Sequence, residues 1–477
     1  MFIGRDQELK DLAGFWGRDL GVLVTCRGRR RIGKSTLIAE FASRSAKKFI
    51  SIVGLAPRKG MTDARQRQNF CEKVAEYADR EYVEAKTWSK AFRQLDALLG
   101  DGGRTVVLLD EISWMGGYDP DFAGYFKEAW DGYLHRHRDL IVVLCGSVSA
   151  WIAENILNAT GFVGRDSFDI ELNELSLADS VKLFGPQSDR LSTTEKLDLL
   201  SLTGGVPKYL EEVRPELSVD ENYRRLCFLP RSLLFREFEE TFSEVFGIRV
   251  ATRGRILRLL QDGGLSSSEL AAREGKTPNG SYANALQDLQ FAGFVAEDSG
   301  LSPLTGKPIK QPRYRIKDNY ARFYLKNIEP RSVAIRAGHF SFASLEQLNG
   351  WDSILGLQFQ NMILNHVSDL FPHLGLERSL VLSAAPYVQN ATKRNRGCQI
   401  DLLIRTERML MVVEIKRKKQ IGYDIIAEVE EKVRRLRYDR RLSIRTALVY
   451  DGHLSASVPA DRYFDFIVPA DELLLSV

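Results

Sequence analysis

The chain contains 477 residues, of which 44% are hydrophobic and 27% charged, and its formal net charge is +4. This length predicts about three domains, on a prior of roughly 150 residues each. No apolar run approaches the roughly 20 residues that a membrane helix needs, and the chain passes from Met1 directly into its first predicted domain, so we expect neither export nor membrane insertion. The five cysteines lack C-x-x-C spacing, which argues against a zinc ribbon or a disulfide scaffold and indicates a reducing, cytoplasmic location.

The first strong pattern is a glycine-rich loop between an apolar strand, residues 21–26, and a helix, residues 36–42. It reads G-x-x-x-x-G-K-[ST] and consists of Gly28, Arg29, Arg30, Arg31, Ile32, Gly33, Lys34 and Ser35, with Thr36 opening the helix. In such a loop the backbone amides surround phosphates, Lys34 reaches the β/γ oxygens and the Ser35 hydroxyl ligates Mg²⁺. The pattern predicts a site for ATP and Mg²⁺.

A second apolar strand, residues 106–109, ends in Asp110 and Glu111. Parallel strands buried on both faces present ligand-binding groups at their carboxyl ends. We expect Asp110 to hold the Mg²⁺ shell and Glu111 to activate the attacking water. The alternative is a strand that ends in a solvated acidic turn.

The next apolar strand, residues 140–145, is followed by Gly146 and Ser147. Ser147 has two interpretations: it senses the γ-phosphate, or it belongs to the turn that closes the strand. Strands and helices alternate up to about residue 175, which is typical of a doubly wound α/β sheet.

Separated blocks of this part carry a family resemblance. They are residues 2–9, the loop at 28–35, Gly164-Arg165 followed by 170–172, and residues 204–210. Together they resemble the archaeal-type predicted P-loop ATPases related to AAA+ and STAND proteins, which often carry a C-terminal nuclease-like domain. The resemblance implies a helical lid after the sheet, a possible homo-oligomer, and a γ-phosphate or inter-subunit role for Arg165. The alternative for Arg165 is an ordinary surface arginine.

Pattern changes predict four domains: a P-loop ATPase core at 1–175, a helical lid at 176–249, a winged helix at 250–330 and a nuclease-like domain at 331–477. The winged helix is predicted from three short helices and a hairpin between residues 293 and 316. Its third helix offers Asn279, Ser281, Asn284, Gln287 and Asp288 but no Lys or Arg. Phosphate contacts supply much of the affinity for DNA, so we favour a structural or nucleotide-coupling module over a DNA reader.

The last domain carries a second group of chemical residues on two apolar strands, 399–404 and 410–416. On antiparallel neighbours Asp401 and Glu414 can converge and bind a divalent cation. Lys416 lies on the same strand face as Glu414 and would stabilise the attacking hydroxide or the phosphate. The alternative is a charged rim on an ordinary hairpin.

This order of strands and the following helix resembles the α/β core of PD-(D/E)XK restriction-endonuclease-like proteins, with Asp401, Glu414 and Lys416 at the motif positions. Family members usually have an acid in the preceding helix, where this chain has Gln360. Gln360 has an acceptor oxygen but no charge, so we expect weaker metal binding, and cleavage stays an open question.

The segment from 393 to 445 contains 16 Lys or Arg against 8 Asp or Glu, an excess of eight positive charges. Such a surface attracts nucleic acid, with DNA the expected partner; the alternative is a solvated helix face. We therefore predict a Mg²⁺-dependent ATPase that couples its nucleotide state to a nuclease-like, nucleic-acid-binding domain. The alternative from another class is a STAND-type switch, in which ATP gates oligomerisation and the last domain is catalytically inactive.

Overall fold

The computed structural model of the protein describes residues 2–100, 103–146, 149–157, 166–246, 250–275, 280–393 and 395–475. The chain divides into two compact units. The first comprises Met1–Asn173, Ser243–Gly247 and Phe291–Gly293, and the second comprises Glu174–Phe242, Ile248–Gln290 and Phe294–Val477.

The first unit is built on a five-stranded parallel sheet with the order β2-β3-β4-β1-β5. Its strands are β1 (Val22–Gly28), β2 (Lys48–Val53), β3 (Thr105–Asp110), β4 (Leu140–Cys145) and β5 (Asp166–Leu172). Strands β3 and β4 are almost fully buried, as continuous Val and Leu runs predict for a parallel sheet covered on both faces. The predicted α/β class with a parallel sheet is confirmed.

The helices of the first unit cover this sheet. They are α1 (Asp6–Ala13), α2 (Lys34–Ser45), α3 (Asp63–Ala78), α4 (Trp88–Leu99), α5 (Ile112–Gly116), α6 (Phe122–Gly132) and α7 (Ser149–Ile152), the last followed by a π-helical turn (Ala153–Leu157). Trp88, Phe92 and Phe122 pack edge-to-face or stacked in the core. Such aromatic pairs add to the free energy gained from burying their apolar surface, so this cluster makes the sheet a rigid base for the loops at its edge.

The second unit begins with helices only: α8 (Leu177–Lys182), α9 (Thr193–Thr203), α10 (Pro207–Leu210), α11 (Val219–Cys227) and α12 (Leu233–Phe246), whose last residues count with the first unit. Ser192 and Ser218 begin α9 and α11 with capping boxes, in which a glutamate three residues later returns a hydrogen bond to the cap. The helical character predicted for residues 176–245 is confirmed.

Three further helices and a small sheet follow. These elements are α13 (Val250–Leu260), β6 (Leu265–Ser266), α14 (Ser267–Arg273), α15 (Gly280–Phe291), β7 (Val295–Asp298) and β8 (Arg313–Ile316), and the sheet has the order β6-β8-β7. The predicted helices and hairpin are present. Their assignment to the winged-helix class stays a prediction, as does the nuclease-like class of the last part.

The last part contains a five-stranded mixed sheet of order β13-β12-β11-β10-β9. Its elements and the helices before it are α16 (Asn319–Phe323), α17 (Ser332–Arg336), α18 (Trp351–Asn365), α19 (Val367–Leu370), β9 (Ser383–Gln389), β10 (Cys398–Arg405), β11 (Met409–Ile421), α20 (Asp424–Arg435), β12 (Ser443–Leu454), α21 (Ser457–Asp461) and β13 (Phe466–Pro469). Strands β9, β10 and β11 are antiparallel neighbours, whereas β11, β12 and β13 are parallel. Helix α20 buries Ile425, Ile426 and Val429, as its apolar spacing predicts.

Polar contacts within the second unit join its helical part to its last sheet. The Gln358 side chain donates from α18 to the Ser201 carbonyl in α9, at 2.9 Å. The buried Arg417 of β11 pairs with Asp198 of α9 and with Asp451 of β12. Among the described residues, no helix is both long and apolar enough to cross a bilayer.

Candidate functional sites

The glycine-rich loop follows β1 and ends in the first turn of α2. Its chain turns through left-handed backbone at Arg31 (φ 67°) and Gly33 (φ 93°). At Gly28 a Cβ atom would lie 2.5 Å from the Leu172 carbonyl oxygen of β5, so only glycine allows the edge strand to approach the loop this closely. The two motif glycines are thus needed for different reasons: Gly33 for its left-handed backbone and Gly28 for the close approach of β5.

Lys34 is held inside the loop it terminates. Its side chain is 7% exposed, and its Nζ donates to the carbonyl oxygens of Gly28 (2.9 Å) and Arg29 (3.1 Å). Among the described residues, no carboxylate forms an ion pair with Lys34. Its positive charge therefore has only neutral partners, which leaves it available to an anion.

Ser35 and Asp110 are 75 residues apart in the chain but adjacent in the structure. The Ser35 hydroxyl donates to Oδ2 of Asp110 at 2.5 Å, while Oδ1 accepts from the Glu111 amide at 3.0 Å. Strand β4 lies between β1 and β3, and all three are parallel, so the loop and the two acids follow strands whose carboxyl ends share one edge. This is the edge where open α/β sheets bind ligands.

Glu111 has left-handed backbone, with φ 49° and ψ 47°, at the start of α5. Non-glycine residues rarely adopt this conformation, and it is concentrated at functional sites. The neighbouring turn accommodates it because Gly54 follows β2; a Cβ atom there would lie 2.7 Å from the Glu111 carbonyl oxygen. Sequence spacing alone gives no sign of this close packing.

The remaining loop residues divide by exposure. Ile32 is buried and anchors the loop, Arg29 is 5% exposed, and Thr36 is exposed beside Ser35 at the beginning of α2. Arg30 forms an ion pair with Glu244, which also counts with the first unit. Ser147, with its two open interpretations, and Arg165, for which the resemblance implies a γ-phosphate or inter-subunit role, lie outside the described residues.

These groups fit a magnesium-bound nucleoside triphosphate. Phosphate oxygens are bound by a buried lysine with carbonyl partners only and by the amides of a helix that begins at the loop. Mg²⁺ is bound by oxygen ligands, here a hydroxyl hydrogen-bonded to a carboxylate. Ser35 and Asp110 would hold the metal, and Lys34 and the loop amides would hold the phosphates. Residues 28–36 and 110–111 thus form one candidate site.

The second candidate site depends on a bulge in the last sheet. On β9 and β10, Ile400 pairs with Tyr387 but Leu403 pairs with Ala385, so two residues, Asp401 and Leu402, oppose Pro386 alone. Proline has no amide to donate, and a bulge turns a side chain away from the regular alternation. Oδ2 of Asp401 accepts from the Ile415 amide of β11 at 3.1 Å, so this carboxylate replaces a strand-to-strand bond.

Glu414 is 2% exposed and lies between two lysines. Its Oε2 accepts from Lys432 at 2.6 Å and its Oε1 from Lys416 at 3.4 Å. Burial and the Asp401 charge raise the pKa of Glu414 to about 7, against the opposing effect of Lys432. Burial also raises the pKa of Asp401. A carboxylate in this environment gains from any cation that remains beside it.

Lys416 contacts a third acid. Its Nζ donates to both Glu428 oxygens, at 3.1 and 3.0 Å, and Lys432 also lies 3.2 Å from Glu428. Glu428 and Lys432 are on α20, one turn apart. Neither is in the site predicted from the sequence; their i,i+4 spacing on a helix that follows β11 was the available signal, but it equally predicts a solvated pair.

Gln360 of α18 also reaches this group, because its Nε2 donates to Oδ1 of Asp401 at 3.0 Å. Asp401, Glu414, Lys416 and Gln360 line one cavity of about 630 Å³, so the structure brings the predicted residues together. Among the described residues, no group of three or more His, Cys, Asp or Glu side chains is arranged to hold a metal ion. Two carboxylates and an amide therefore fit a divalent cation only after the lysines move aside.

The third helix of the predicted winged helix, α15, presents a neutral face. Ser281, Asn284 and Gln287 are exposed, while Asp288 pairs with Arg253 of α13 at 2.5 Å. Asp288 therefore belongs to the packing between α13 and α15. Asn279, named with this face in the sequence, lies outside the described residues.

Comparison with known proteins gives a match for the part of the chain that contains the first site. Residues 2–213 match the model of a family described as an ATPase domain predominantly from Archaea. An uncharacterized protein of Methanocaldococcus jannaschii is 22% identical over 378 residues, which is 78% of this chain and 78% of that protein. Residues 2–213 are thus similar to this archaeal ATPase domain.

Solved structures are also similar to parts of the chain. A Walker-type ATPase of Pyrococcus abyssi gives a TM-score of 0.46 at 17% identity, covering 68% of this chain and 96% of its own. The ORC2 protein of Aeropyrum pernix, in complexes with ADPNP and ADP, gives a TM-score of 0.43 at 15% identity, covering 71% and 95%.

Proposed function

We propose that this protein is a Mg²⁺-dependent ATPase whose nucleotide state controls a C-terminal nuclease-like domain that binds nucleic acid. The single observation that carries the ATPase part is the 2.5 Å hydrogen bond from Ser35 to Asp110. It joins the loop that would bind phosphates to the strand that would orient the metal. A chance glycine-rich turn has no reason to meet an acid 75 residues away.

In this proposal Lys34 and the loop amides bind the β- and γ-phosphates. Mg²⁺, when bound, neutralises charge between these phosphates. Ser35 and Asp110 orient it, and Glu111 positions and polarises the attacking water. Arg165 is proposed as a γ-phosphate or inter-subunit arginine.

The nucleic-acid part is supported by the positive surface beside the Asp401 cavity. A neighbouring cavity of about 480 Å³ shares Glu431 and Arg435 with it. Its other arginines are Arg396, Arg434, Arg437 and Arg440. Glu431 pairs with Arg434, Arg435 and Arg396, so one acid faces five arginines. The excess of positive charge suits a phosphate backbone.

A second function has one specific observation in its favour. Glu414 is already paired with two lysines, and Asp401 already accepts from Gln360 and the Ile415 amide. A nuclease-like domain in this state favours a STAND-type switch, in which ATP gates oligomerisation and the last domain only holds a partner. Homo-oligomer formation and a cytoplasmic location belong to this proposal as well.

One set of assays separates these functions. ATP hydrolysis and nicking of supercoiled plasmid, with Mg²⁺ or Mn²⁺, are measured on the full chain and on its Lys34→Ala, Asp401→Ala and Lys416→Ala variants. We expect Lys34→Ala to stop hydrolysis, and Asp401→Ala and Lys416→Ala to stop nicking while hydrolysis continues. Slow turnover, no nicking under any condition and an ATP-dependent change in mass would favour the switch. Absence of MgATP binding would contradict both functions.

A further inference from the structure

A second cavity of the same unit adjoins the candidate cleavage site. It has a volume of about 380 Å³ and shares Leu357, Gln360 and Gln399 with the cavity around Asp401. Its walls come from β6, α14, β7, β8, α16, α18, β9 and β10. Its charged residues are four arginines, Arg273, Arg313, Arg315 and Arg322, and three acids, Asp262, Glu269 and Asp298.

Each of the three acids has a cation of its own. Arg313 pairs with Glu269 at 3.0 Å and Arg315 pairs with Asp298 at 3.0 Å. Asp262 pairs with Lys326 at 2.7 Å. The acids are therefore compensated, and two of the four arginines, Arg273 and Arg322, remain.

Among the described residues, buried Arg322 is hydrogen-bonded only to backbone carbonyl oxygens. It is 3% exposed, its two Nη atoms donate to the carbonyl oxygens of Leu357 (3.1 Å) and Ile316 (3.0 Å), and its Nε has no hydrogen-bond partner. Among the described residues, no carboxylate forms an ion pair with it. Burial and the charge of Arg315 lower the pKa of Arg322 to about 9, against the opposing effects of Asp298, Asp262 and Asp318, which reflects the cost of burying a cation that has no ion pair.

Arg273 is the second arginine of this cavity that has no ion pair among the described residues. It ends α14, is exposed, and forms no ion pair with any residue that the structure describes. The cavity is thus lined by one buried arginine, Arg322, and one exposed arginine, Arg273, that form no ion pair with a described residue. An anion that enters would meet a guanidinium with an unused N–H group, a geometry that suits phosphate oxygens.

We propose that this cavity is a phosphate-binding subsite for a nucleic-acid strand, with Arg322 and Arg273 as its two cations. The proposal rests on the proposed nucleic-acid function, because the subsite would hold one backbone phosphate of a strand whose neighbouring phosphate lies at the Asp401 cavity. It assigns the contact to α14 and α16, while the neutral face of α15 makes none. The ligand chemistry is a phosphate group, which a nucleic-acid backbone or a free phosphate can supply.

The test measures binding of the full chain to a fluorescein-labelled single-stranded 20-mer by anisotropy, without nucleotide, from 50 to 200 mM salt. Arg273→Gln is expected to weaken binding about fivefold at low salt and to reduce the salt slope by about 0.7, the value for one lost single-strand phosphate contact. Arg322→Gln is expected to do the same, provided that circular dichroism and gel filtration show a native fold. Arg190→Gln, an exposed arginine that lines neither cavity, removes the same charge as the matched control.

A second arm distinguishes the sources. Inorganic phosphate is added to the Lys34→Ala protein, in which the nucleotide loop is disabled, and thermal protection is measured with and without Arg273→Gln. Protection that Arg273→Gln removes, together with unchanged 20-mer binding, would support a phosphate site that serves a free anion. If the 20-mer binds equally to wild type, Arg273→Gln and a folded Arg322→Gln, and phosphate protects none of them, the subsite is refuted while the nucleic-acid function stands. If wild type does not bind the 20-mer at all, the proposed function fails, and the phosphate arm alone decides the cavity.

Discussion

The two candidate sites treat positive charge in opposite ways. In the first, Lys34 contacts only two backbone carbonyl oxygens, so its charge is held in place but not neutralised. In the second, Lys416 and Lys432 contact two carboxylates, those of Glu414 and Glu428. A site with uncompensated charge binds its ligand directly, whereas a site with internal ion pairs must first exchange them. The difference shows that motif residues can lie close together in a site that still has to rearrange its ion pairs before it binds a ligand.

The largest expected effect comes from breaking the first site. Lys34→Ala removes the cation that the carbonyls hold, so we expect the affinity for MgATP to fall more than about 100-fold, the loss of a charge-assisted contact in a buried cradle. Isothermal titration calorimetry checks it. Lys59→Ala, at an exposed lysine of the same unit, is the matched control, and equal heats from the two variants would contradict the assignment.

Removing the proposed base tests chemistry separately from binding. Glu111→Gln keeps size and hydrogen bonding but loses the charge that polarises water, so we expect MgATP binding within about twofold of wild type and turnover reduced about 100-fold. A phosphate-release assay measures it beside Glu128→Gln, an exposed glutamate of the same unit. Turnover at the wild-type rate would remove Glu111 as the base.

The second site can be tested by removing one of its two lysines. Lys432→Met takes away the closest partner of the buried Glu414, and we expect the second unit to lose about 2 kcal/mol of unfolding free energy, less than a full buried ion pair because Lys416 remains. Mn²⁺ should restore part of this loss by replacing the lysine. Urea unfolding with and without Mn²⁺ gives the answer, with the exposed Lys393→Met as control. An identical loss in both conditions would argue against a cation at Glu414.

The smallest expected effect comes from adding a carboxylate to the second site. Gln360→Glu replaces the amide that donates to Asp401 with a third carboxylate, and we expect about tenfold tighter Mn²⁺ binding, since ligand charge sets the affinity of oxygen sites. Calorimetry on the Lys34→Ala background isolates this site from the nucleotide loop. Gln420→Glu adds the same charge at an exposed position outside the cavity; if both variants bind Mn²⁺ alike, Gln360 does not face the metal.

The first site was largely predictable because its information is local. The loop between β1 and α2 and the acids after β3 follow from hydrophobic runs and one motif. Strand β5 was not predicted as a strand, because Asp169 and Glu171 interrupt its apolar pattern. Arg27 of the adjacent β1 pairs with both acids, so a tertiary contact overrides the local pattern.

The second site was predictable only in part. Asp401, Glu414 and Lys416 lie close in sequence on two strands, and their convergence follows from alternation along a strand. Lys432 and Glu428 arrive from α20 and Gln360 from α18, and no local pattern states which face of a helix meets the sheet. The environment of Arg322 is harder still to predict from the sequence, because its lack of an ion pair depends on segments that are distant in the chain.

Pro386 lies outside the second candidate site but influences the direction of one of its side chains. Because this imino acid cannot donate to the neighbouring strand, two residues of β10 face it and the Asp401 side chain leaves the regular alternation. The direction of an acid is thereby encoded in a separate edge strand. A substitution at Pro386 is therefore expected to redirect the Asp401 carboxylate while every side chain of the second candidate site stays the same.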